Sequence, residues 1–423
     1  MMFKYVDYYQ EYGRIMQFNK NKKEPIHRWY PFVEGYSKEF IKSIIDEVNK
    51  KDLVCLEPFS GSGTTSLELQ YNNIPCYSFE INPLMYIISK VKLENDYDLK
   101  KVELWHNFVQ TKRAIINADL KTVFTTLYEG NNKKKWNYDK AVGLAVQKLK
   151  MSIDLIKEEK YKNLFFVVLS SILLDVSNLY RNGKCLSYKK NWEEINLSES
   201  DVFKKFDDKI NKEIKNDIKS IKKTSQNNKD ILFNEDSRLG IEKEIENSSI
   251  DLVITSPPYL NSRDYTDTYM LELKTLGLTN TYEEVRNLRE KTFRSHVQIK
   301  WQDKENINNK TLESTLRLLK DCSNDKEMWN SSILDMVRLY FVDMKKIFHV
   351  LYKKMKFGGK IYFNVSNSAY FNVLINTLEI CAEIAENEGF NIIEIRKARK
   401  LKSSPQQKDH IENLLEGVIV MEK

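Results

Sequence analysis

The chain has 423 residues, a length that fits one large α/β domain with insertions, or two domains, and exceeds a single minimal domain. Hydrophobic residues make up 41% of the sequence, which is enough for a substantial core and argues against global disorder. The net charge of +7 permits an anionic partner but does not by itself indicate one, because Lys and Glu are both abundant on ordinary surfaces.

The cysteines are scattered along the chain and include no pair spaced as Cys-x-x-Cys. We therefore expect no metal site and no disulfide framework, and we expect a reducing, cytoplasmic environment. The N-terminal residues are polar and aromatic, unlike a signal peptide. The most apolar run, residues 164–174, is too short to span a bilayer, so we predict a buried helix there and no membrane association.

Residues 1–95 begin with the pattern of an α/β sheet. Residues 53–57 have the composition of a buried strand, residues 64–70 that of a helix, and residues 76–80 that of a second strand. A strand–turn–helix–strand unit of this kind is typical of the opening of a doubly wound sheet.

Residues 96–229 differ in composition and are predicted to be a helical insertion. From residue 203 to residue 221, apolar side chains recur at helical spacing and lysines occupy the remaining faces. We predict an amphipathic helix with a basic outer side there.

The sheet pattern resumes in residues 230–423. Strands are predicted at 231–233, 251–254, 360–365, 391–397 and 417–422, helices at 333–354 and 370–388, and a smaller helical insertion at about 275–330. The last two strands are expected to form a long hairpin. The sequence therefore predicts an α/β fold with a doubly wound, mainly parallel sheet, a C-terminal antiparallel hairpin and helical insertions.

A glycine-containing turn lies directly between the first predicted strand and its helix. It comprises Glu57, Pro58, Phe59, Ser60, Gly61, Ser62, Gly63 and Thr64. Gly61 and Gly63 allow a sharp turn and a close approach of the backbone to a ligand, although a plain strand–helix turn has the same pattern. A P-loop is excluded because no Gly-Lys-Ser/Thr sequence follows, and Ser66 replaces the third glycine of a dinucleotide motif.

Acidic residues follow two further predicted strands. Glu80 ends the second strand, roughly 20 residues after Glu57, where a carboxylate can accept hydrogen bonds from ribose hydroxyls. Asp236 follows the strand at 231–233 and could accept from an adenine amino group, although alone it is more simply a solvated loop residue. Together, the glycine turn and Glu80 favour a nucleoside cofactor without a pyrophosphate, a description that S-adenosylmethionine fits.

The sequence Thr255-Ser256-Pro257-Pro258-Tyr259 follows a predicted apolar strand. Two prolines at a strand end fix a rigid loop, so Ser256 Oγ and the Pro257 carbonyl can both accept from one amino group. Tyr259 offers a ring face on which a flipped base can stack. The alternative, a plain Pro-Pro turn, is disfavoured by the cofactor motif upstream. We therefore predict catalytic roles for Ser256, Pro257, Pro258 and Tyr259.

The motifs, and their order along the chain, resemble those of the DNA amino-methyltransferases of restriction–modification systems, above all the cytosine-N4 branch. Besides the glycine turn and the Ser-Pro-Pro-Tyr loop, the resembling segments are Glu80-Ile81-Asn82-Pro83, His27-Arg28-Trp29-Tyr30-Pro31-Phe32 and Phe357-Gly358-Gly359-Lys360. The resemblance implies a Rossmann-like, S-adenosylmethionine-dependent methyltransferase fold in residues 1–95 and 230–423. Besides the turn, it implies cofactor contacts by Trp29, Tyr30, Pro31, Glu80, Ile81, Asn82, Asp236 and Ser237.

The residue at position 256 bears on the acceptor base. A serine at this position resembles the motif of the cytosine-N4 enzymes, whereas adenine-N6 enzymes usually carry Asp or Asn there. Adenine-N6 methylation is kept as the alternative. Cytosine-C5 chemistry needs a thiolate nucleophile, and none of the cysteines follows a proline in a loop after a strand.

The resemblance also implies double-stranded DNA as the partner and a cognate restriction endonuclease as a functional, not a physical, one. A chain of this size with insertions at 96–229 and 275–330 can act alone, so we expect a monomer. The candidate DNA contacts are Arg181, Lys184, Lys189, Lys190, Arg263, Lys402 and Ser403. An ordinary solvated surface that makes no contact with DNA could carry the same basic and polar residues.

Three competing interpretations remain from the sequence alone. An amino-methyltransferase acting on RNA or protein would share the fold and the cofactor site. A catalytically silent nucleic-acid-binding subunit would share the basic insertion. The third, a plain nucleotide-binding interaction protein, has little support.

The polar, basic loop between the last two predicted strands, which contains Arg399, Lys402 and Ser403, could lie beside DNA or cap the catalytic pocket.

Overall fold

The structure, a computed structural model, describes residues 3–130, 134–183, 185–260, 264–324, 332–403 and 411–423. The strands are β1 (Tyr5–Asp7), β2 (Cys55–Glu57), β3 (Cys76–Phe79), β4 (Leu179–Asn182), β5 (Cys185–Tyr188), β6 (Leu232–Phe233), β7 (Ile250–Thr255), β8 (Met355–Ser366), β9 (Ser368–Tyr370), β10 (Val373–Ile375), β11 (Asn391–Lys402) and β12 (Asn413–Glu422).

The α-helices are α1 (Tyr9–Tyr12), α2 (Lys38–Val48), α3 (Thr64–Tyr71), α4 (Pro83–Leu93), α5 (Leu99–Ile115), α6 (Lys140–Asp154), α7 (Glu159–Val176), α8 (Glu199–Lys209), α9 (Lys215–Lys219), α10 (Ser237–Glu244), α11 (Tyr265–Thr268), α12 (Met270–Thr275), α13 (Tyr282–Lys291), α14 (Lys310–Asn324), α15 (Ile333–Lys354) and α16 (Thr377–Asn387). None of the helices within the described ranges combines the length and the apolar character needed to cross a bilayer.

An eight-stranded sheet organises the molecule, with the strand order β1-β11-β12-β8-β7-β2-β3-β6. Strands β8, β7, β2, β3 and β6 run parallel to one another, whereas β12 is antiparallel to both of its neighbours. The predicted mainly parallel sheet with a C-terminal antiparallel hairpin is therefore confirmed.

Helices cover both faces of this sheet, which explains why its central strands are apolar throughout. Every residue of β7 is buried. Leu252 and Ile254 pack with α2 on one face. Val253, between them, points to the other face and packs with α10, α15 and α16.

The segment between β3 and β6 is mainly helical, and its helices α4, α5, α6, α7 and α8 share one apolar cluster with the N-terminal residues Trp29 and Tyr30 and with α12. The helix predicted at 203–221 is present but passes through a π-helical turn at Ile210–Ile214. Its basic side is partly neutralised, because Lys209 pairs with Glu213 and Lys212 pairs with Asp208.

Three predicted boundaries were wrong. The strand predicted at 391–397 continues as β11 to Lys402, so Arg399 and Lys402, which were predicted in a loop, lie in a strand. The turn predicted at 357–359 lies within β8, where Ile250 pairs with Met355 but Leu252 pairs with Lys360, so the residues between bulge outward. The helix predicted from residue 370 begins only at Thr377, because 368–375 form the β9–β10 hairpin. The parallel edge strand β1 was not predicted at all.

Candidate active site

The carboxyl ends of β2, β3 and β7 open into a cavity of about 480 Å³. Ligand pockets in proteins span roughly 300–1,000 Å³, so this cavity is large enough for a nucleoside-sized molecule. Its walls come from the N-terminal segment, the glycine turn, the Ser-Pro-Pro-Tyr loop, the second insertion and strands β8, β11 and β12.

The glycine turn and the end of β3 are joined by a carboxylate. Gly61 has a φ of +52°, and its N–H donates to Glu80 Oε2 at 2.7 Å. The N–H of Asn82 donates to Glu80 Oε1 at 2.8 Å. Burial raises the pKa of Glu80 to about 7, against the lowering effect of these two donors. Each carboxylate oxygen can accept a further hydrogen bond, so Glu80 can still receive two hydroxyl donors from a ligand.

Glu57 lies behind this wall and does not line the cavity. Its carboxylate accepts from Tyr36 Oη at 3.0 Å, from the Phe59 N–H at 3.0 Å and from Thr65 Oγ1 at 2.9 Å. Thr255 Oγ1 is a fourth donor. Burial raises the pKa of Glu57 to about 7, while these hydrogen bonds oppose the increase. The residue therefore holds the glycine turn and the end of β7 in a fixed relation.

The Ser-Pro-Pro-Tyr loop is anchored through Tyr259. Its Oη donates to Glu416 Oε1 at 2.5 Å and receives a weaker hydrogen bond from Ser256 Oγ at 3.4 Å. Its N–H donates to Tyr265 Oη at 2.9 Å. Burial, and next the charge of Glu416, raise the pKa of Tyr259 well above its ordinary value, so the phenol stays protonated. The Pro257 carbonyl accepts no hydrogen bond from the residues that the structure describes.

Two polar cavity residues, Asn364 and Glu416, were not assigned to the site from the sequence, whereas Arg399, which lines the cavity with them, belongs to the segment predicted to lie beside DNA or cap the pocket. Asn364 on β8 donates from Nδ2 to Tyr259 Oη at 2.7 Å. Its Oδ1 is buried and has no partner among the described residues. Glu416 on β12 is 1% exposed and pairs with Arg399 on β11. The alternation of apolar residues along a strand predicts which face is buried but not which strand lies beside it. The sequence therefore did not indicate that these polar groups meet.

The N-terminal segment reaches the cavity through different residues from those predicted. Trp29 and Tyr30 are fully buried and point away from it. Trp29 Nε1 donates to Asp217 at 2.9 Å, and Tyr30 Oη donates to Glu272 at 3.0 Å. Pro31 does not line the cavity either. The N-terminal residues that line the cavity are Met16, Gln17, Phe18, Asn19, Lys22, Phe32, Val33, Glu34 and Gly35.

The remaining predicted cofactor residues divide into two groups. Those that line the cavity are Pro58, Phe59, Gly61, Glu80, Ile81, Asn82, Asp236 and Ser237. Those that lie behind it are Glu57, Ser60, Ser62, Gly63 and Thr64. Some of the acceptor capacity of the Asp236 carboxylate is already used within the protein, because Asp236 caps α10 and forms an ion pair with Arg238 at 2.6 Å.

The second insertion also contributes to the cavity, which its sequence did not indicate. Lys291, Thr292, Phe293, Ser295 and His296 line one wall. Phe293 meets Phe59 edge to face at 5.5 Å between ring centroids. The cavity is therefore partly aromatic on the side facing the glycine turn.

The predicted DNA contacts have different surroundings. Arg181 is 8% exposed in its side chain and pairs with the buried Glu272. Lys189 Nζ donates to main-chain carbonyls at the end of α7. Lys190 and Lys402 are exposed, and Ser403 is half-buried. Lys184 and Arg263 lie outside the described residues.

No protein-family model matches the chain. The Type II methyltransferase M.BsoBI of Geobacillus stearothermophilus is 26% identical over 93% of this chain and 84% of its own length. The Type II methyltransferase M.AvaI of Anabaena variabilis is 27% identical over 94% of this chain and 86% of its own length. The Type II methyltransferase M.MvaI of Kocuria varians is 25% identical over 58% of this chain and 55% of its own length. Along nearly its whole length, insertions included, this chain is similar to type II methyltransferases.

Proposed function

We propose that this protein transfers the methyl group of S-adenosylmethionine to the exocyclic N4 amino group of a cytosine flipped out of duplex DNA. The observation that carries the proposal is that Glu80 and the loop Ser256–Tyr259 border the same cavity. The sheet, with helices on both faces, supports a Rossmann-like methyltransferase fold. The names of the similar proteins support methyl transfer as the reaction class.

The chemistry of the cavity wall fits the cofactor. Glu80 offers acceptors for the ribose hydroxyls. Phe79, Ile81 and Met85 line the cavity and offer apolar surface for the adenine ring. S-adenosylmethionine supplies an electrophilic methyl group on its sulfonium when it is bound.

The acceptor amine is activated by the main chain and by one hydroxyl. An exocyclic amino group is a poor nucleophile because its lone pair is delocalised into the ring. Ser256 Oγ and the Pro257 carbonyl accept its two N–H groups and favour a more tetrahedral nitrogen. A bound S-adenosylmethionine would supply the methyl group to this nitrogen and leave as the neutral thioether S-adenosylhomocysteine, and the surplus proton of the amino group would pass to water. Positioning supplies much of the acceleration.

Tyr259 holds the flipped base. Its ring is one stacking face, and its Oη is fixed by Glu416 and Asn364. Because both hydrogen bonds come from strands of the sheet, the plane of the ring is set before the base arrives. Extruding the base is necessary because the amino group lies inside the duplex stack.

DNA contacts in this proposal come from exposed cations near the insertion and the last hairpin. Lys190 and Lys402 are the described candidates, whereas the guanidinium of Arg181 is already paired inside the protein. The protein acts as a monomer and protects DNA against a restriction endonuclease of matching specificity.

The product nucleoside tests the proposal. Duplex DNA is incubated with the protein and S-adenosylmethionine carrying a labelled methyl group, then digested and analysed by mass spectrometry. We expect labelled N4-methyldeoxycytidine. Labelled N6-methyldeoxyadenosine would replace cytosine by adenine as the base, and transfer to RNA or protein in place of DNA would overturn the proposal.

Variants connect the product to the loop. Ser256→Ala and Tyr259→Ala should abolish transfer while S-adenosylmethionine still binds in calorimetry. Ser249→Ala is the matched control, because Ser249 does not line the cavity and its Oγ donates, among the described residues, to the Glu246 carbonyl. Full activity in both loop variants would remove the proposed catalytic role.

A further inference from the structure

Arg399 reaches the cavity because of an irregularity in β11. Arg396 pairs with Val418 and Lys397 pairs with Gly417, but the next pair is Arg399 with Glu416. Ala398 is therefore an extra residue, a β-bulge. Strict alternation would place the side chains of Arg396 and Arg399 on opposite faces, whereas the bulge brings Arg399 to the face of its partner Glu416.

Glu416 fixes one edge of the guanidinium. Its Oε2 accepts from Arg399 Nε, and its Oε1 accepts from Tyr259 Oη at 2.5 Å. The carboxylate thus joins the arginine directly to the tyrosine of the catalytic loop. The arginine side chain is 24% exposed and lines the cavity.

The other edge of the guanidinium is open. The two terminal nitrogens of Arg399 make no hydrogen bond to any residue within the described ranges. They form a planar fork of donors on the wall of the cavity that Ser256, Tyr259 and Asn364 also line. Such a fork matches two adjacent acceptors in one plane.

Cytosine and adenine differ in the atoms that they would present to this fork. Beside its amino group, cytosine carries two successive acceptors, N3 and then O2. Adenine carries N1 and then a C–H group. A forked donor is therefore satisfied by cytosine and left half-paired by adenine, which is costly once the base has excluded water.

We propose that Arg399, oriented by Glu416, donates from its terminal nitrogens to N3 and O2 of the acceptor base and thereby selects cytosine over adenine. This inference rests on the proposed function, whose reaction and base are tested separately by the product nucleoside. Arg399 is the specificity residue, and Glu416 is a positioning residue that acts through it.

The test is a double-mutant cycle in which one change is made in the enzyme and the other in the substrate base. The duplexes carry the methylated sequence of the wild-type protein, with either deoxycytidine or 3-deaza-2′-deoxycytidine, which replaces N3 by C–H, at the target position. The enzymes are the wild type and Arg399→Lys, which keeps the charge beside Glu416 but lacks the fork. The kcat/KM is measured for all four combinations.

We expect the analogue to lower kcat/KM of the wild type by roughly 5- to 150-fold, the range for losing one bidentate base contact. Arg399→Lys should show a similar loss on deoxycytidine and less than about a further twofold loss on the analogue. Any intrinsic change in the reactivity of the analogue affects both enzymes and cancels in the cycle.

If the losses in kcat/KM caused by Arg399→Lys and by the analogue multiply when the two are combined, the inference is overturned, because independent effects mean that Arg399 does not contact N3. Multiplied losses together with a weaker salt dependence of DNA binding would assign Arg399 to a phosphate instead. In either case N4-methyldeoxycytidine from the wild type would leave the proposed function standing. A different product base would remove both.

Two further variants keep the test decisive. Lys400→Met removes a cation from the neighbouring, exposed residue of β11, and it should keep the wild-type ratio between the two substrates. If thermal melting shows that Arg399→Lys does not fold, Arg399→Gln, which leaves the hydrogen bond between Tyr259 and Glu416 in place, enters the same cycle.

Discussion

Thr255 donates a hydrogen bond from its Oγ1 to Glu57 Oε1, so the residue before the Ser-Pro-Pro-Tyr loop is bonded to the residue that begins the glycine turn. The two residues end neighbouring parallel strands, β7 and β2. This contact sets the spacing between the glycine turn and the Ser-Pro-Pro-Tyr loop.

Replacing Thr255 by Val keeps the shape of the side chain and removes the donor. We expect the free energy of unfolding to fall by about 1–3 kcal/mol, because a buried carboxylate loses one of its partners. Urea denaturation measures the loss. Thr255→Ser keeps the hydroxyl and should restore most of the stability, and equal losses in both variants would contradict the role of the hydrogen bond.

Gly61→Ala should weaken the binding of S-adenosylmethionine by about tenfold or more. A Cβ on Gly61 would lie 2.9 Å from Phe32 Cζ, and Phe32 lines the cavity. Positive φ adds strain of about 1 kcal/mol. Gly358→Ala is the control, because Gly358 also has a positive φ but a Cβ there meets nothing within 4 Å. Calorimetry should show weakened binding only for the first variant.

Glu80 should make nucleoside binding pH-dependent. Burial raises its pKa to about 7, and the ionised form is the better acceptor for ribose hydroxyls. Below the pKa, binding must release a proton, so affinity should rise as the pH increases from about 6 to 8, by at most about tenfold per pH unit, and then level off.

The measurement uses 5′-methylthioadenosine, which lacks the titratable amino-acid part of the cofactor. Glu80→Gln should bind it more weakly and with little pH dependence over the same range. A pH dependence that persists unchanged in Glu80→Gln would assign it to another group, such as Glu57, whose pKa burial also raises to about 7.

Asp217→Ala should destabilise the protein by about 3 kcal/mol, as expected for breaking a buried ion pair. This carboxylate is 1% exposed and accepts from the Ile26 N–H, from Arg28 and from Trp29 Nε1. Asp208→Ala, in an exposed pair with Lys212 on the preceding helix, should cost less than about 0.5 kcal/mol. Similar urea midpoints for both variants would contradict this assignment.

The sequence predicted those parts of the fold and site whose determinants are local. The glycine turn, Glu80 and the Ser-Pro-Pro-Tyr loop could be placed at strand ends because turn residues and apolar runs mark those ends. The helix predicted at 333–354 has the same bounds in the structure, because its 22 residues keep one apolar face throughout.

The side-chain contacts that could not be predicted from the sequence are those made with residues distant in the chain. Trp29 and Tyr30 belong to a segment that resembles a cofactor motif, yet their polar atoms meet Asp217 and Glu272. Asn364 meets Tyr259 only because β8 lies beside β7. The position of Arg399 depends on a one-residue irregularity in pairing, which no periodicity reveals.

The edge strand β1 pairs in parallel with β11, so Tyr5 lies opposite Ile395 near the other end of the chain. Glu416, which holds Tyr259, follows later still. The sheet can therefore close only after β11 and β12 have been synthesised, because they join distant parts of the chain. An intermediate that lacks the β11–β12 hairpin would lack Arg399 and Glu416 in the cavity wall, so closure of the cavity is expected to be a late, slow step of folding.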